Sequence, residues 1–166
     1  MAKKNATHSP KKAEKPAIRL ITENRKAKHK FEVLDTLECG LVLRGSEVKS
    51  LRSGRVSLDE AYGRLRVGEV WLVGCDIPEY PQATIWNHEP KRPRKMLVHR
   101  RELRRFANQA HEKGLTLVPL KLYFNDRGVA KVLLGLCRGK QLHDKREAIK
   151  KADVQRDLAR VMRGRR

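Results

Sequence analysis

Apolar and polar positions alternate in "KFEVLDTL", where Phe31 and Val33 are set against charged neighbours, and the pattern predicts a half-buried strand. Just beyond, "CGLVLRG" is a short apolar run between two glycines and predicts a second strand, so the pair reads as a hairpin. The period then changes in "GSEVKSLRSG". Val48 and Leu51 stand three apart, with Ser46 as an N-cap candidate and Gly54 as a stop, which predicts one short helix. Alternation returns in "EAYGRLRVGEVWLVGCDI". Ala61, Gly63, Leu65 and Val67 oppose Tyr62, Arg64 and Arg66, with a turn placed at Gly68–Glu69. Residues 78–95 hold four prolines and no clear period, which predicts loop or sheet edge. In "VHRRELRRFANQAHEKG", Leu103, Phe106, Ala107 and Ala110 recur at helical spacing, Gly114 closes the helix, and Arg100, Arg101, Arg104 and Arg105 occupy the other face. Finally "LTLVPLKLYFNDRGVAKVLLGL" is two apolar runs around Asn125–Gly128, a hairpin signature in which Pro119 predicts an edge strand.

About six short strands with two or three short helices predict a mainly β fold, a small antiparallel barrel of the oligonucleotide-binding type over residues 18–138. The flanks differ from it. Residues 1–17 are Lys, Ala, Pro and Asn with almost nothing to bury, and are expected to be a disordered basic arm. In the tail, residues 139–166, Val154, Leu158, Val161 and Met162 form a helical stripe of about two turns, and Ile149 points elsewhere. A helix that short is marginal alone, so the tail is expected to be disordered until a partner neutralises its cations.

Charge narrows the partner. The chain carries 39 Lys and Arg against 19 Asp and Glu, a net +20. Residues 1–30 hold ten basic residues and two acids, and residues 138–166 hold eleven and four, so the ends carry most of the excess. Basic arms on a near-neutral domain fit a nucleic acid better than an acidic small molecule. Within the domain, "NRKAKHK", "KRPRK" and the arginine face of residues 100–105 make three cationic clusters.

Other chemistries find little support. No apolar run is long enough for a membrane span, and the basic N-terminus lacks an apolar segment after it, so neither membrane insertion nor secretion is expected. Cys39, Cys75 and Cys137 are widely spaced, odd in number and without a C-x-x-C pair; they read as small buried residues in a reducing cytosol. His88, His99 and His111 are scattered and read as surface or loop residues rather than metal ligands. The adjacent acids Asp59 and Glu60 do not make a convergent nuclease site. No cofactor motif occurs, and no enzymatic activity is expected. Aromatics make up 5% of the chain, and Tyr62, Trp71, Tyr80, Trp86 and Tyr123 form no dense stacking platform. That favours recognition of folded RNA by shape, phosphates and 2′-hydroxyls.

Four stretches carry a more specific signal: "ENRKAKHKF", "GLVLRGSEVKSLRSG", "RKMLVHRRELRR" and "GKQLHDKR". In this order they resemble the SsrA-binding (small protein B) family of bacterial trans-translation, and the likeness covers roughly residues 20–166. The resemblance implies an oligonucleotide-binding-type barrel that binds the tRNA-like domain of transfer-messenger RNA (tmRNA, SsrA RNA). It implies delivery of that RNA, with elongation factor Tu and GTP, to ribosomes stalled on truncated messages, by a cytoplasmic monomer without catalysis. The tail would enter the empty mRNA path at the small-subunit decoding centre and become helical there.

By the same resemblance Asn24, Arg25, Lys26 and Lys28 are expected at the RNA, with Glu38, Glu47, Lys49, Arg52, Arg94, Lys95 and Leu97. A carboxylate such as Glu38 would hold a base edge or order a neighbouring cation, and Leu97 would pack on a nucleoside or in the core. Gly139, Lys140, His143, Asp144, Lys145 and Arg146 are expected at the decoding centre. Gln141 stands where many relatives have lysine, and Val154 near where some carry an aromatic. The competing readings are a basic ribosomal or ribosome-assembly protein bound to structured RNA and, more remotely, a nuclease; the ordered motifs favour the first reading.

Overall fold

The computed structural model describes residues 18–140, apart from Thr84, Lys113 and the Glu112 side chain, together with Met162, which is helical and exposed. The expectations for residues 1–17 and for His143, Asp144, Lys145 and Arg146 lie outside the described residues.

The order is β1 (Arg19–Glu23), α1 (Arg25–Lys30), β2 (Phe31–Leu41), α2 (Gly45–Arg52), β3 (Tyr62–Arg66), β4 (Glu69–Val73), β5 (Arg94–Leu97), α3 (Arg100–Glu112), β6 (Thr116–Phe124) and β7 (Ala130–Gly139), with a 3-10 turn at Pro81–Ala83. The strands form one antiparallel sheet, β1-β6-β3-β4-β5-β2-β7, which closes on itself because β6 also pairs with β7. Six strands therefore make a closed barrel, and β1 lies along β6. This is the small antiparallel barrel expected; β1, β5 and α1 are elements that the pattern did not place.

The interior follows from alternation. Leu37, Cys39, Val70, Leu72, Leu122, Val132, Leu134 and Leu136 face inward, while α2 adds Leu51 and α3 adds Phe106. Gly63 is demanded by packing, since a Cβ there would stand 2.8 Å from the Leu117 Cβ. A smaller cluster lies outside the barrel. Ala27 of α1 packs on Val118, Leu120 and Cys137, with Phe31 and Leu133 alongside. Helix α1 thus covers the outer face of β6, which explains why "LVPLKL" is nearly continuous in apolar residues.

Several expectations are corrected. Residues 31–41 form one long strand rather than a hairpin, because β7 pairs with β2 from Phe31 to Gly40 without a turn signal interrupting it. The β3–β4 turn lies at Val67–Gly68, flanked by the Arg66–Glu69 pair, and both turn residues have positive φ, +48° and +69°. Helix α2 begins two residues earlier than Ser46 as N-cap predicts. Arg44 precedes it, the Arg44 backbone N–H donates to Glu47 Oε2 at 2.6 Å, and the Ser46 hydroxyl lies 3.0 Å from His88 Nδ1. His88 is buried rather than on the surface, and its Nε2 donates to the Ile77 carbonyl at 3.0 Å. Pro119 sits within the interior strand β6. It is tolerated because a bulge separates Pro119 from Lys121, and β6 shares its flank between β3 at Leu117 and β1 from Lys121 onward. All three cysteines are buried thiols, as expected, and burial pushes Cys39 up to about 12 and Cys75 and Cys137 to about 11.

Candidate nucleic-acid interface

The expected RNA contacts separate into two groups. In β5 the alternation of "RKML" turns Arg94 and Met96 inward and leaves Lys95 and Leu97 toward solvent. Arg94 is fully buried. Its Nε donates to Glu47 Oε1 at 2.8 Å, and its remaining donors reach the carbonyls of Cys75, Arg92 and Pro90. Glu47, also fully buried, accepts two further bonds from Arg92, at 2.8 and 2.5 Å. Burial works against its charged form, but the hydrogen bonds from Arg92, the Arg44 backbone and Arg94 outweigh it and hold the carboxyl below its ordinary value. Glu47 and Arg94 have no group left for RNA; they join α2 to β5.

Asn24 is likewise internal. It caps α1 by accepting from the Ala27 backbone N–H at 2.9 Å, and its amide donates to the Leu58 carbonyl at 3.0 Å. Both amide atoms are spent and the residue is buried. What Asn24 does is set α1, whose Arg25, Lys26, Lys28 and Lys30 point outward. Lys26 pairs with Asp59 and Lys28 with Glu23, each at 2.5 Å. The tail leaves from beside this helix, because Lys140 donates its backbone N–H to Lys30 and its Nζ to the Lys28 carbonyl, at 3.0 and 2.9 Å. Gly139 ends β7.

Glu38 and Leu97, distant in sequence, meet on the outer wall of the barrel. Register aligns Leu97 with Gly40, Gly40 with Lys131, Lys131 with Tyr123 and Tyr123 with Leu20, a row across five strands. Glu38 is two residues from Gly40 on the same face. Its carboxylate accepts from the Tyr123 hydroxyl and from Lys131 Nζ, the latter at 3.0 Å. The Tyr123 hydrogen bond, then Lys131, hold Glu38 below its ordinary value, while burial and Glu38 push Tyr123 up to about 12. Leu97 is half exposed at the other side of Gly40, so it is not a core leucine.

A hollow of about 280 Å³ opens here, lined by Glu38, Leu97, Val98, His99, Glu102 and Lys131. Two carboxylates, one cation and an apolar floor suit a nucleoside better than a bare phosphate: the acids accept from 2′-hydroxyls or amino groups, and Leu97 packs on a ring. Sequence reasoning missed Leu20, Tyr123, Lys131 and Glu102. Three of them are recoverable only from strand register, which no local pattern states.

The remaining expected contacts lie elsewhere. Lys95 pairs with Glu69 at 2.5 Å. Lys49 and Arg52 are exposed on α2 and line no part of the hollow. On α3, Arg105 pairs with Asp35 at 2.5 Å, and Arg100 and Arg104 line a groove of about 570 Å³ against the β3–β4 turn. Among the described residues no group of three or more His, Cys, Asp or Glu is placed to hold a metal ion, and no helix is long and apolar enough to cross a membrane.

The SmpB protein family model matches residues 21–164. The SsrA-binding protein of Rhodopirellula baltica is 57% identical over 152 residues, 92% of this chain and 86% of that protein. That of Brucella canis is 56% identical over 150 residues, and that of Rhodopseudomonas palustris 52% over 149; each alignment spans 90% of this chain and 95% of the relative. A solved chain described as "tmRNA-SmpB: a journey to the center of the bacterial ribosome" superposes with a TM-score of 0.63 at 48% identity, over 79% of this chain and 95% of that one. The chain belongs to the SmpB family of SsrA-binding proteins.

Proposed function

We propose that this protein binds the tRNA-like domain of transfer-messenger RNA and carries it, with elongation factor Tu and GTP, into stalled ribosomes. It acts in the cytoplasm as a binding protein without catalysis. The observation that supports this best is that family likeness runs through the barrel and the tail together, residues 21–164. In this reading the Glu38–Leu97 hollow receives a nucleoside of the RNA, and Lys131 and Tyr123 hold the Glu38 carboxylate in place. Arg25, Lys26 and Lys28 contribute phosphate contacts, with Lys95 at the edge, and the ion pairs of Lys26, Lys28 and Lys95 exchange for phosphate. Gly139 and Lys140 start the tail toward the decoding centre, where His143, Asp144, Lys145 and Arg146 make the contacts.

The test separates barrel from tail. Ending the chain at Lys140 keeps the hydrogen bonds that anchor β7 and α1 among the described residues. The truncated protein is expected to bind the tRNA-like domain as the full chain does and to support no peptide tagging on stalled ribosomes. Parallel loss of both activities would point to a basic arm that serves RNA affinity, as in a structural ribosomal protein.

A further inference from the structure

The segment joining β4 to β5 is tightly held yet leaves two large apolar side chains in water. Its neck is closed by Asn87, whose Oδ1 accepts from the Tyr80 backbone N–H at 3.1 Å and whose Nδ2 donates to the Tyr80 carbonyl at 3.0 Å. Next to it, buried His88 spans Ser46 and the Ile77 carbonyl. Inside the neck, Ala83 N–H donates to Tyr80 and Trp86 N–H to Ala83, at 2.9 and 3.0 Å. These bonds tie Tyr80, Ala83, Trp86 and Asn87 together, while the Ile85 and Trp86 side chains are 90% and 87% exposed. A large exposed apolar pair on a surface loop marks an interaction site.

What flanks the loop says which kind. A hollow of about 290 Å³ lies at its base, lined by Glu79, Tyr80, Pro81 and Gln82 on one side and Ser50, Ser53 and Arg55 on the other. Lys49 Nζ lies 5.4 Å from the centre of the Tyr80 ring. Lys49, Arg52 and Arg55 are exposed, and none forms an ion pair among the described residues. This contrasts with Lys26, Lys28, Lys91, Arg92 and Lys95, all neutralised by carboxylates. Glu79 is the one acid in the hollow. An exposed ring beside cations that have no carboxylate partner is what a single-stranded segment of nucleic acid uses, stacking a base and laying its phosphates on the charges. A purely apolar protein partner would not require the cations.

We propose that this loop and the C-terminal end of α2 form a second RNA site, in which Trp86 stacks on an unpaired base of ribosomal RNA, Ile85 packs beside it, and Lys49, Arg52 and Arg55 take the flanking phosphates. The inference rests on the functional reading above: a protein that carries one RNA into a particle made of another holds both at once. This surface shares no residue with the Glu38–Leu97 hollow.

Trp86→Ala, Trp86→Phe and Trp86→Leu in the full chain test it, since a side chain so exposed is dispensable for folding. Affinity is measured for isolated bacterial ribosomes and, separately, for a transcript of the tRNA-like domain. Trp86→Ala is expected to weaken ribosome binding about fivefold or more, the loss of one stacked base. Trp86→Phe should keep most of the affinity, Trp86→Leu should behave as alanine does, and all three should bind the transcript as wild type. Unchanged ribosome affinity in Trp86→Ala overturns the proposal. So does full affinity in Trp86→Leu, which would mean an apolar protein contact, or a loss confined to the transcript. Failure of the wild-type chain to bind the transcript would instead remove the functional reading on which the proposal stands.

Discussion

Two charged clusters with nearly the same ingredients have opposite placements in this molecule. Glu47, Arg92 and Arg94 lie beneath α2, with Glu47 and Arg94 wholly out of water and their polar atoms paired. Glu38, Lys131 and Tyr123 lie on the barrel wall, where Glu38 keeps half its surface open beside Leu97. By resemblance Glu38, Glu47 and Arg94 are all RNA contacts. The structure divides them into a group that holds α2 on β5 and a group that presents chemistry. A buried ion set has no capacity left for a ligand, whereas a surface carboxylate oriented by two donors retains lone pairs for one.

The largest expected effect breaks the buried cluster. Glu47→Ala leaves Arg94 buried without its counter-ion, which costs about 3–5 kcal/mol; denaturant unfolding should show it, while the fraction still folded binds RNA as wild type. Next in size is the surface cluster. Glu38→Gln combined with Leu97→Ser should leave the unfolding midpoint almost unchanged and weaken affinity for the tRNA-like domain roughly tenfold or more, the scale of a hydrogen bond to a charged group. Asn24→Ala comes third, at about 1–2 kcal/mol for a lost cap that also strands the buried Leu58 carbonyl. Its effect on RNA is indirect, through α1, and should be rescued by Asn24→Asp less well than a plain cap would be, because the aspartate cannot donate to Leu58.

Acid sharpens the contrast further. The Glu47 carboxyl is held below its ordinary value of 4.5, so the folded state is favoured at pH above that value and loses this stabilisation as pH falls through the lowered one. Glu47→Gln should therefore flatten the acid limb of the stability profile below pH 4.5 and leave neutral pH to neutral alkaline behaviour parallel to wild type. The smallest effect belongs to Lys26→Ala. Its pair with Asp59 is exposed and screened by solvent, so thermal unfolding should be almost indistinguishable from wild type.

Much of the barrel is legible in the chain. The hairpin of β6 and β7, α3 and the alternating β3 and β4 follow from local period and turn chemistry. The first hairpin is misread because glycine at position 40 looks like punctuation, whereas here it lies inside β2, opposite Leu97 and Lys131. Strand β5 hides in a proline-rich segment of four pairing residues, too short to show a period. The alternation in "RKML" does contain the signal that Arg94 points with Met96 into the core, but it is readable only once that segment is known to be a strand. The interface is legible in part: Glu38 and Leu97 come from resemblance, and Lys131, Tyr123 and Leu20 join them through pairing across five strands.

One measurement tests the division most directly: titration of the tRNA-like domain with Glu38→Gln/Leu97→Ser and with Glu47→Gln, at a temperature where circular dichroism shows both variants folded. The surface variant is expected to lose affinity, with Glu47→Gln indistinguishable from wild type. The reverse order, with the buried variant losing affinity while folded and the surface variant retaining it, would contradict the account.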